Sequence, residues 1–240
     1  MDYNWEYPGY KFGAGYLPDE QVEADYRGLS ALVADTRVAF DASPRAELAT
    51  ITMAYYPDTR QERLLLKHGI VDSVDLVHAM SYDQNGKHHS SLEFGKKTGD
   101  QAVQANLPVQ KVTMGLPFYG RYAAGPKNGD WVTYEDIVQK YHPLDPSKDG
   151  VQDPELQRAP LMFNGVDTIQ EKVRYAKQLG LGGVMIWEAG QDCRMNAVTR
   201  HGTTHVVTCP QGEASSLLVA IATAGGQEEG QSEGRADGEL

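Results

Sequence analysis

Short apolar runs alternate with longer amphipathic segments along most of this chain, and that alternation restricts its fold more than any other feature. Thr50 to Tyr56 (TITMAYY, stopped by Pro57), Val74 to Tyr82 (VDLVHAMSY), Lys111 to Tyr119 (KVTMGLPFY) and Gly183 to Glu188 (GVMIWE) read as strands. Between them lie helical patterns. Asp19 to Phe40 carries Val22, Tyr26, Leu29 and Val33 on one face, Arg60 to Gly69 ends at a glycine, and Ser91 to Leu107 is a looser helix. Thr168 to Leu179 shows a Thr168/Glu171 capping box, with Ile169, Val173, Ala176 and Leu179 on one face and Gly180 as the stop; Ser216 to Ala224 is the last helix. Strands that are apolar through their length and alternate with helices predict a parallel sheet covered by helices.

Two stretches break the rhythm. Residues 122–160 hold Pro, Gly and Asp between short aromatic patches such as Trp131 to Tyr134 and read as an insertion after a strand. Residues 225–240 hold Gly, Gln, Glu and Asp with no large apolar group before Leu240, so a disordered acidic tail is expected there. A chain of 240 residues is long enough for one compact domain with a sizeable core. Its net charge of -11 argues against phosphate backbones and anionic membrane surfaces as partners. A neutral polymer such as a polysaccharide needs no field of either sign. No apolar run approaches the roughly twenty residues of a membrane helix. Cys193 and Cys209 flank a polar, Thr-rich loop and fit neither a redox pair nor a zinc set; a loop disulfide and two unlinked buried thiols both remain open. The histidines, with no nearby Cys or clustered acid, read as structural, so neither a metal nor a cofactor is expected.

Chemistry concentrates at the opening stretch, MDYNWEYPG, where Asp2, Asn4 and Glu6 occupy every second position. A strand turns such positions to one face, so the three polar groups either lie at a solvated edge or build a site. The later strands end in Met80-Ser81-Tyr82-Asp83, in Tyr119-Gly120-Arg121 and in Trp187-Glu188. Each residue alone has an ordinary reading: Tyr82 and Tyr119 as core rings, Trp187 as core filler, Asp83 as a turn former. Together they fit that reading poorly, because parallel strands present their C-terminal ends at one face.

These runs resemble the family 18 glycoside hydrolases, the chitinases. Asp2, Trp5, Glu6, Tyr7 and Pro8 match the family's D-G-x-D-x-D-x-E strand and its continuation W-E-Y-P; MSYD, MGLPFYGR and GGVMIWEAGQD resemble its sixth, seventh and eighth strands. Two departures stand out: no Asp-Gly precedes Met1, and Asn4 takes the place of an Asp. The resemblance implies a (β/α)8 TIM-barrel fold, here with strands four to eight. Residues 1–121 and 161–224 then form a partial catalytic barrel around the insertion at 122–160. A barrel without its first three strands exposes edges and interior, so the chain reads as a fragment in which Met1 is an internal residue; an in-frame Asp-Gly just upstream checks this.

The resemblance further implies hydrolysis of β-1,4 N-acetylglucosamine linkages in chitin or chito-oligosaccharides, outside the usual two-carboxylate scheme. The substrate's acetamido oxygen attacks C1. Glu6 is then the general acid and later the base, with Asp2 as its charged neighbour. Asn4 holds the acetamido N–H without supplying charge, as an Asn does in a related family of endo-N-acetylglucosaminidases. Tyr82 aims the acetamido oxygen and Asp83 binds the acetamido group or a hydroxyl. Trp187 forms the floor beneath the sugar, with Tyr7, Tyr119, Arg121 and Trp131 as walls and Met80 packed beneath. Extracellular action follows from the family alone. Two other outcomes are a chitin-binding protein with little turnover, like the family's lectins, and a truncated product without function. Retention of Glu6 favours descent from an active enzyme, since those lectins typically lose that acid.

Overall fold

The structure, a computed structural model, describes residues 1–123, 131–152, 159–200 and 203–226. The chain opens with β1 (Asp2–Tyr3) and a small hairpin of β2 (Tyr10–Lys11) and β3 (Gly15–Tyr16). The helix α1 (Asp19–Asp41) buries Val22, Tyr26, Leu29 and Val33, the stripe its spacing predicts. Then come β4 (Thr52–Tyr55) and α2 (Thr59–Lys67), whose Asp58 cap accepts from the Arg60 amide at 2.7 Å. A short α3 (Ile70–Ser73), β5 (Leu76–Ala79), α4 (Leu92–Gln104) and β6 (Val112–Pro117) follow.

These strands form one parallel sheet in the order β1-β4-β5-β6-β11, with β11 (Gly183–Trp187) at the far edge; an antiparallel unit and a further helix lie between β6 and β11. Register aligns the strand ends: Asp2 pairs with Thr52, Tyr55 with Ala79, Ala79 with Met114 and Trp187 with Pro117. Every residue of β6 is buried, as expected for a central parallel strand. Burying its Val112, Met114 and Leu116 stabilises the sheet by about 1.5–3 kcal/mol each. Among the described residues no strand ladder joins β1 to β11, so the sheet is open.

The segment after β6 differs from its expected bounds. Pro117 has no N–H to donate, yet the Phe118 amide still reaches Trp187 O of β11 at 2.8 Å. The expected strand Lys111 to Tyr119 ends at Pro117. Tyr119 begins β7 (Tyr119–Tyr122), which joins β8 (Trp131–Thr133), β9 (Gly150–Val151) and β10 (Leu161–Met162) in an antiparallel sheet of order β8-β7-β10-β9. α5 (Tyr134–Lys140) packs on this sheet. The unit thus reaches beyond 122–160 at both ends; residues 124–130 and 153–158 lie outside the described residues.

α6 (Val166–Gln178) starts two residues before the expected capping box. Gly165 is its N-cap, without a side-chain cap, and Asp149 braces the helix start, accepting from the Gly165 amide at 2.8 Å and from Thr168 Oγ1 at 2.7 Å. The Thr168 hydroxyl thus bonds a distant acid, and the expected Thr168/Glu171 box does not cap the helix. After β11 come the hairpin β12 (Val198–Arg200) and β13 (Thr203–His205), and then α7 (Leu217–Gly226). Gly225 and Gly226 belong to that helix; the rest of the expected tail lies outside the described residues.

Two large cores result, one between α1–α3 and β4–β5 and the other among β6, α5, α6 and α7. A third, smaller cluster of Ala54, Met80, Tyr82 and Tyr119 lies at the strand ends, against Tyr7 and Met185.

Candidate active site

A cavity of about 510 Å³ opens where the strand ends meet. Asp2, Asn4, Glu6 and Tyr7 enter from the chain at and after β1, Ala54 and Tyr56 from the chain at and just after β4, and His78, Met80, Tyr82 and Asp83 from the chain at and just after β5. Trp131 of β8 and Met185, Ile186 and Trp187 of β11 complete the lining. The route taken by the first group differs from expectation. Regular strand ends at Tyr3 and the chain bends at Glu6, and the Glu6–Tyr7 and Trp187–Glu188 peptides are cis. Asp2, Asn4 and Glu6 nevertheless face the same space.

Nine of the eleven expected substrate-site residues line this cavity: Asp2, Asn4, Glu6, Tyr7, Met80, Tyr82, Asp83, Trp131 and Trp187. Tyr119 and Arg121, expected as walls, stand behind it instead. Tyr119 belongs to β7, is 1% exposed, and donates its hydroxyl proton to Asp83 Oδ1 at 2.8 Å; Arg121 donates to the same oxygen at 2.9 Å. Beneath Trp131, the Tyr119 ring stacks at 5.0 Å and 15° and so fixes how that exposed indole faces the cavity. Sequence reasoning passed over Tyr56 and His78. A signal existed for both: Tyr56 ends the one strand given no site residue, and His78 precedes Met80 and Tyr82 at the two-residue spacing of one strand face.

Asp83 adopts a left-handed backbone conformation, φ 58°, which a short polar side chain tolerates. That turn aims its carboxylate back toward β7. Burial alone would raise its pKa, but the polar neighbours His89, Tyr119 and Arg121 outweigh burial and hold it below the usual carboxylate range. The nearest His89 nitrogen is 3.6 Å away, beyond hydrogen-bond length, and burial keeps that imidazole neutral. Burial also pushes the Tyr82 hydroxyl up, and the charges of Asp83, Glu6 and Asp2 push it further. Tyr7 is raised in the same way, first by burial and then by Glu6. Both phenols therefore stay protonated as hydrogen-bond donors in a cavity of negative potential. Asp2 accepts from Thr52 Oγ1 at 2.6 Å, and His78 Nδ1 lies 2.7 Å from Thr113 Oγ1. Tyr82 can lie across β6 only because residue 115 is glycine; a Cβ there would stand 2.8 Å from its ring.

The segment carrying Tyr82 and Asp83 is tied down from below. Ser81 Oγ donates to Gly115 O, and Ser90 Oγ to Ser81 O, both at 2.7 Å. The fully buried Lys172 of α6 donates to Ser90 O at 2.9 Å, Ser90 Oγ at 2.8 Å and Asn164 Oδ1 at 2.7 Å, which uses all three ammonium protons. Cys193 and Cys209 are joined in a buried disulfide that packs in the second core. Among the described residues no group of three or more His, Cys, Asp or Glu side chains is arranged to hold a metal ion. Nor is any helix there long and apolar enough to cross a membrane.

Comparison with known proteins adds three findings. Residues 1–192 match the profile described as "Glycosyl hydrolases family 18". Chitinase 2 of Yersinia entomophaga is 25% identical over 88% of this chain and 42% of its own length. Chitotriosidase-1 of Mus musculus is 28% identical over 78% of this chain and 48% of its own. The chain thus spans less than half the length of either relative. The solved structure of a chitinase from Bacillus thuringiensis superposes with a TM-score of 0.67 at 20% identity, covering 93% of this chain and 43% of that one. The parallel sheet and its helices are accordingly of the TIM-barrel type of α/β fold.

Proposed function

This chain belongs to glycosyl hydrolases family 18, and from that membership we propose that the cavity binds an N-acetylglucosamine unit of chitin or a chito-oligosaccharide and hydrolyses the β-1,4 bond beside it. The acetamido oxygen of the bound sugar attacks C1 while the C1–O bond to the next sugar breaks and Glu6 delivers its proton to the leaving oxygen. The resulting oxazolinium is cationic. Water then adds to C1 as the ionised Glu6 takes its proton, the acetamido bond to C1 opens, and the configuration is retained.

In this reading the Tyr82 hydroxyl donates to the acetamido oxygen and Asn4 Oδ1 accepts the acetamido N–H. Trp187 offers its exposed ring to the apolar face of the pyranose. The observation that carries the proposal is that Glu6, Tyr82 and Trp187 line one cavity together with Asp2 and Asp83, whose carboxylates give it a negative potential. That negative potential suits a transition state gaining positive charge. Asn4 adds no charge there, which at a preorganised site corresponds to roughly 2–4 kcal/mol, or a hundredfold or more in rate. Chitin lies outside cells, and the buried disulfide fits an oxidising compartment, so the proposal includes extracellular action.

Release of the fluorophore from a chitobioside by the wild type, Glu6→Gln and Asn4→Asp tests the proposal. Turnover by the wild type, its loss in Glu6→Gln and a gain in Asn4→Asp are expected. Wild-type turnover no faster than that of Glu6→Gln overturns the hydrolase reading. Oligosaccharide binding with no turnover favours a sugar-binding protein instead.

A further inference from the structure

The hairpin between Gly9 and α1 takes no part in the chemistry described so far, yet it places an aromatic surface beside the cavity. Tyr10 pairs with Tyr16 and Lys11 with Gly15, leaving Phe12 at the tip with 70% of its surface exposed. Gly13 and Gly15 take the positive φ values, 80° and 84°, that such a tight reversal needs. Its base is rigid. Tyr16 lies under the Arg60 guanidinium at 4.3 Å and donates to Asp58 at 3.3 Å, while the Leu17 amide closes on Gly9 O at 2.9 Å.

From this base a connected run of rings leads back to the site. Phe12 is 5.7 Å from Tyr10 and 6.3 Å from Tyr7, and Tyr7 is 6.1 Å from Tyr56. Tyr7 and Tyr56 line the cavity, so the exposed phenyl ring continues the cavity's own wall outward. Placing a large apolar ring at an exposed hairpin tip gains nothing for the fold, because Phe12 touches neither large core. A pyranose polymer suits such a surface, since it presents flat C–H faces at each unit and needs no charge to be held.

We propose that the β2–β3 hairpin forms an additional sugar-binding subsite, with Phe12 as its stacking platform, for a unit of the same polymer that extends out of the cavity past Tyr7 and Tyr56. This rests on the polysaccharide reading of the cavity and adds the prediction that the chain prefers long ligands. Calorimetric titration of chitobiose and chitohexaose into the non-cleaving Glu6→Gln protein, with and without Phe12→Ala, tests it. Phe12→Ala weakens chitohexaose roughly tenfold and leaves chitobiose within about twofold, and Phe12→Trp restores the hexamer. Equal effects on both ligands, or none on either, overturn the subsite while leaving the polysaccharide reading intact. Failure of both sugars to bind the Glu6→Gln parent overturns the two together. Sedimentation gives the other contrary result: self-association of the wild type, abolished by Phe12→Ala with hexamer binding unchanged, makes this face a contact between copies of the chain.

Discussion

A buried acid with no counter-ion shows how far a single residue can set the pH response of this molecule. Glu62 of α2 is fully buried and neither carboxyl oxygen has a hydrogen-bond partner; the nearby Tyr55 hydroxyl lacks one as well. Burial, reinforced by the Asp58 charge, raises its pKa to about 7. The folded chain therefore holds this proton more tightly than the unfolded chain, whose Glu titrates near 4.5. The stability contribution is complete below about pH 4.5 and is lost as pH rises toward 7. Glu62→Gln removes the titration. Its unfolding free energy should exceed the wild type's at pH 8 by about 2–3 kcal/mol, with the gap closing below pH 5. A gap independent of pH in denaturant titrations would show that the carboxyl is not the cause. At this same scale part of the site is legible from residue spacing alone. The two-residue spacing of Asp2, Asn4 and Glu6 pointed to their shared space, although regular strand covers only the first of them.

Among the elements, α6 reaches furthest toward the site, through Lys172. Burial pushes its ammonium down to about 7, against the charge of Asp149, which raises it. Lys172→Met keeps the shape but leaves buried acceptors short of a donor, at a cost of about 1–3 kcal/mol. Because Ser90 is tied to Ser81, the loss should pass to Tyr82 and Asp83. Hydrogen exchange should accelerate across Ser81 to Ser91 in the variant and not across β4; uniform acceleration would instead indicate general destabilisation. Amphipathic spacing located α1, α4 and α6 well, since local periodicity encodes them. The start of α6 was not legible. Its first turn is braced by Asp149, on a segment that only folding brings alongside.

At the scale of the whole molecule, the C-terminal part is fastened twice. Asp192 caps α7, accepting from the Leu217 and Leu218 amides at 3.1 and 2.9 Å and from Ser216 Oγ at 2.7 Å. The Cys193–Cys209 disulfide closes a loop of sequence separation 16 next to that cap, where α7 packs on α6. A loop of this size contributes about 3 kcal/mol, chiefly by restricting the unfolded chain. The wild type's unfolding midpoint should fall in reductant, and that of Cys193→Ser/Cys209→Ser should already be low and indifferent to it. An equal shift in both proteins would place the reductant's effect elsewhere.

By itself the sequence determined the alternation of strand and helix, and through it the parallel sheet whose C-terminal ends gather Glu6, Tyr82 and Trp187. These are consequences of side-chain period and strand direction, which are local properties. Only the tertiary structure decided that Tyr119 and Arg121 support Asp83 from behind and that the two cysteines pair. Each of those outcomes depends on which segments folding brings side by side. Phe118 still donates to Trp187 O of β11 while Tyr119 already pairs with β8, and no periodicity within a single segment records that crossing.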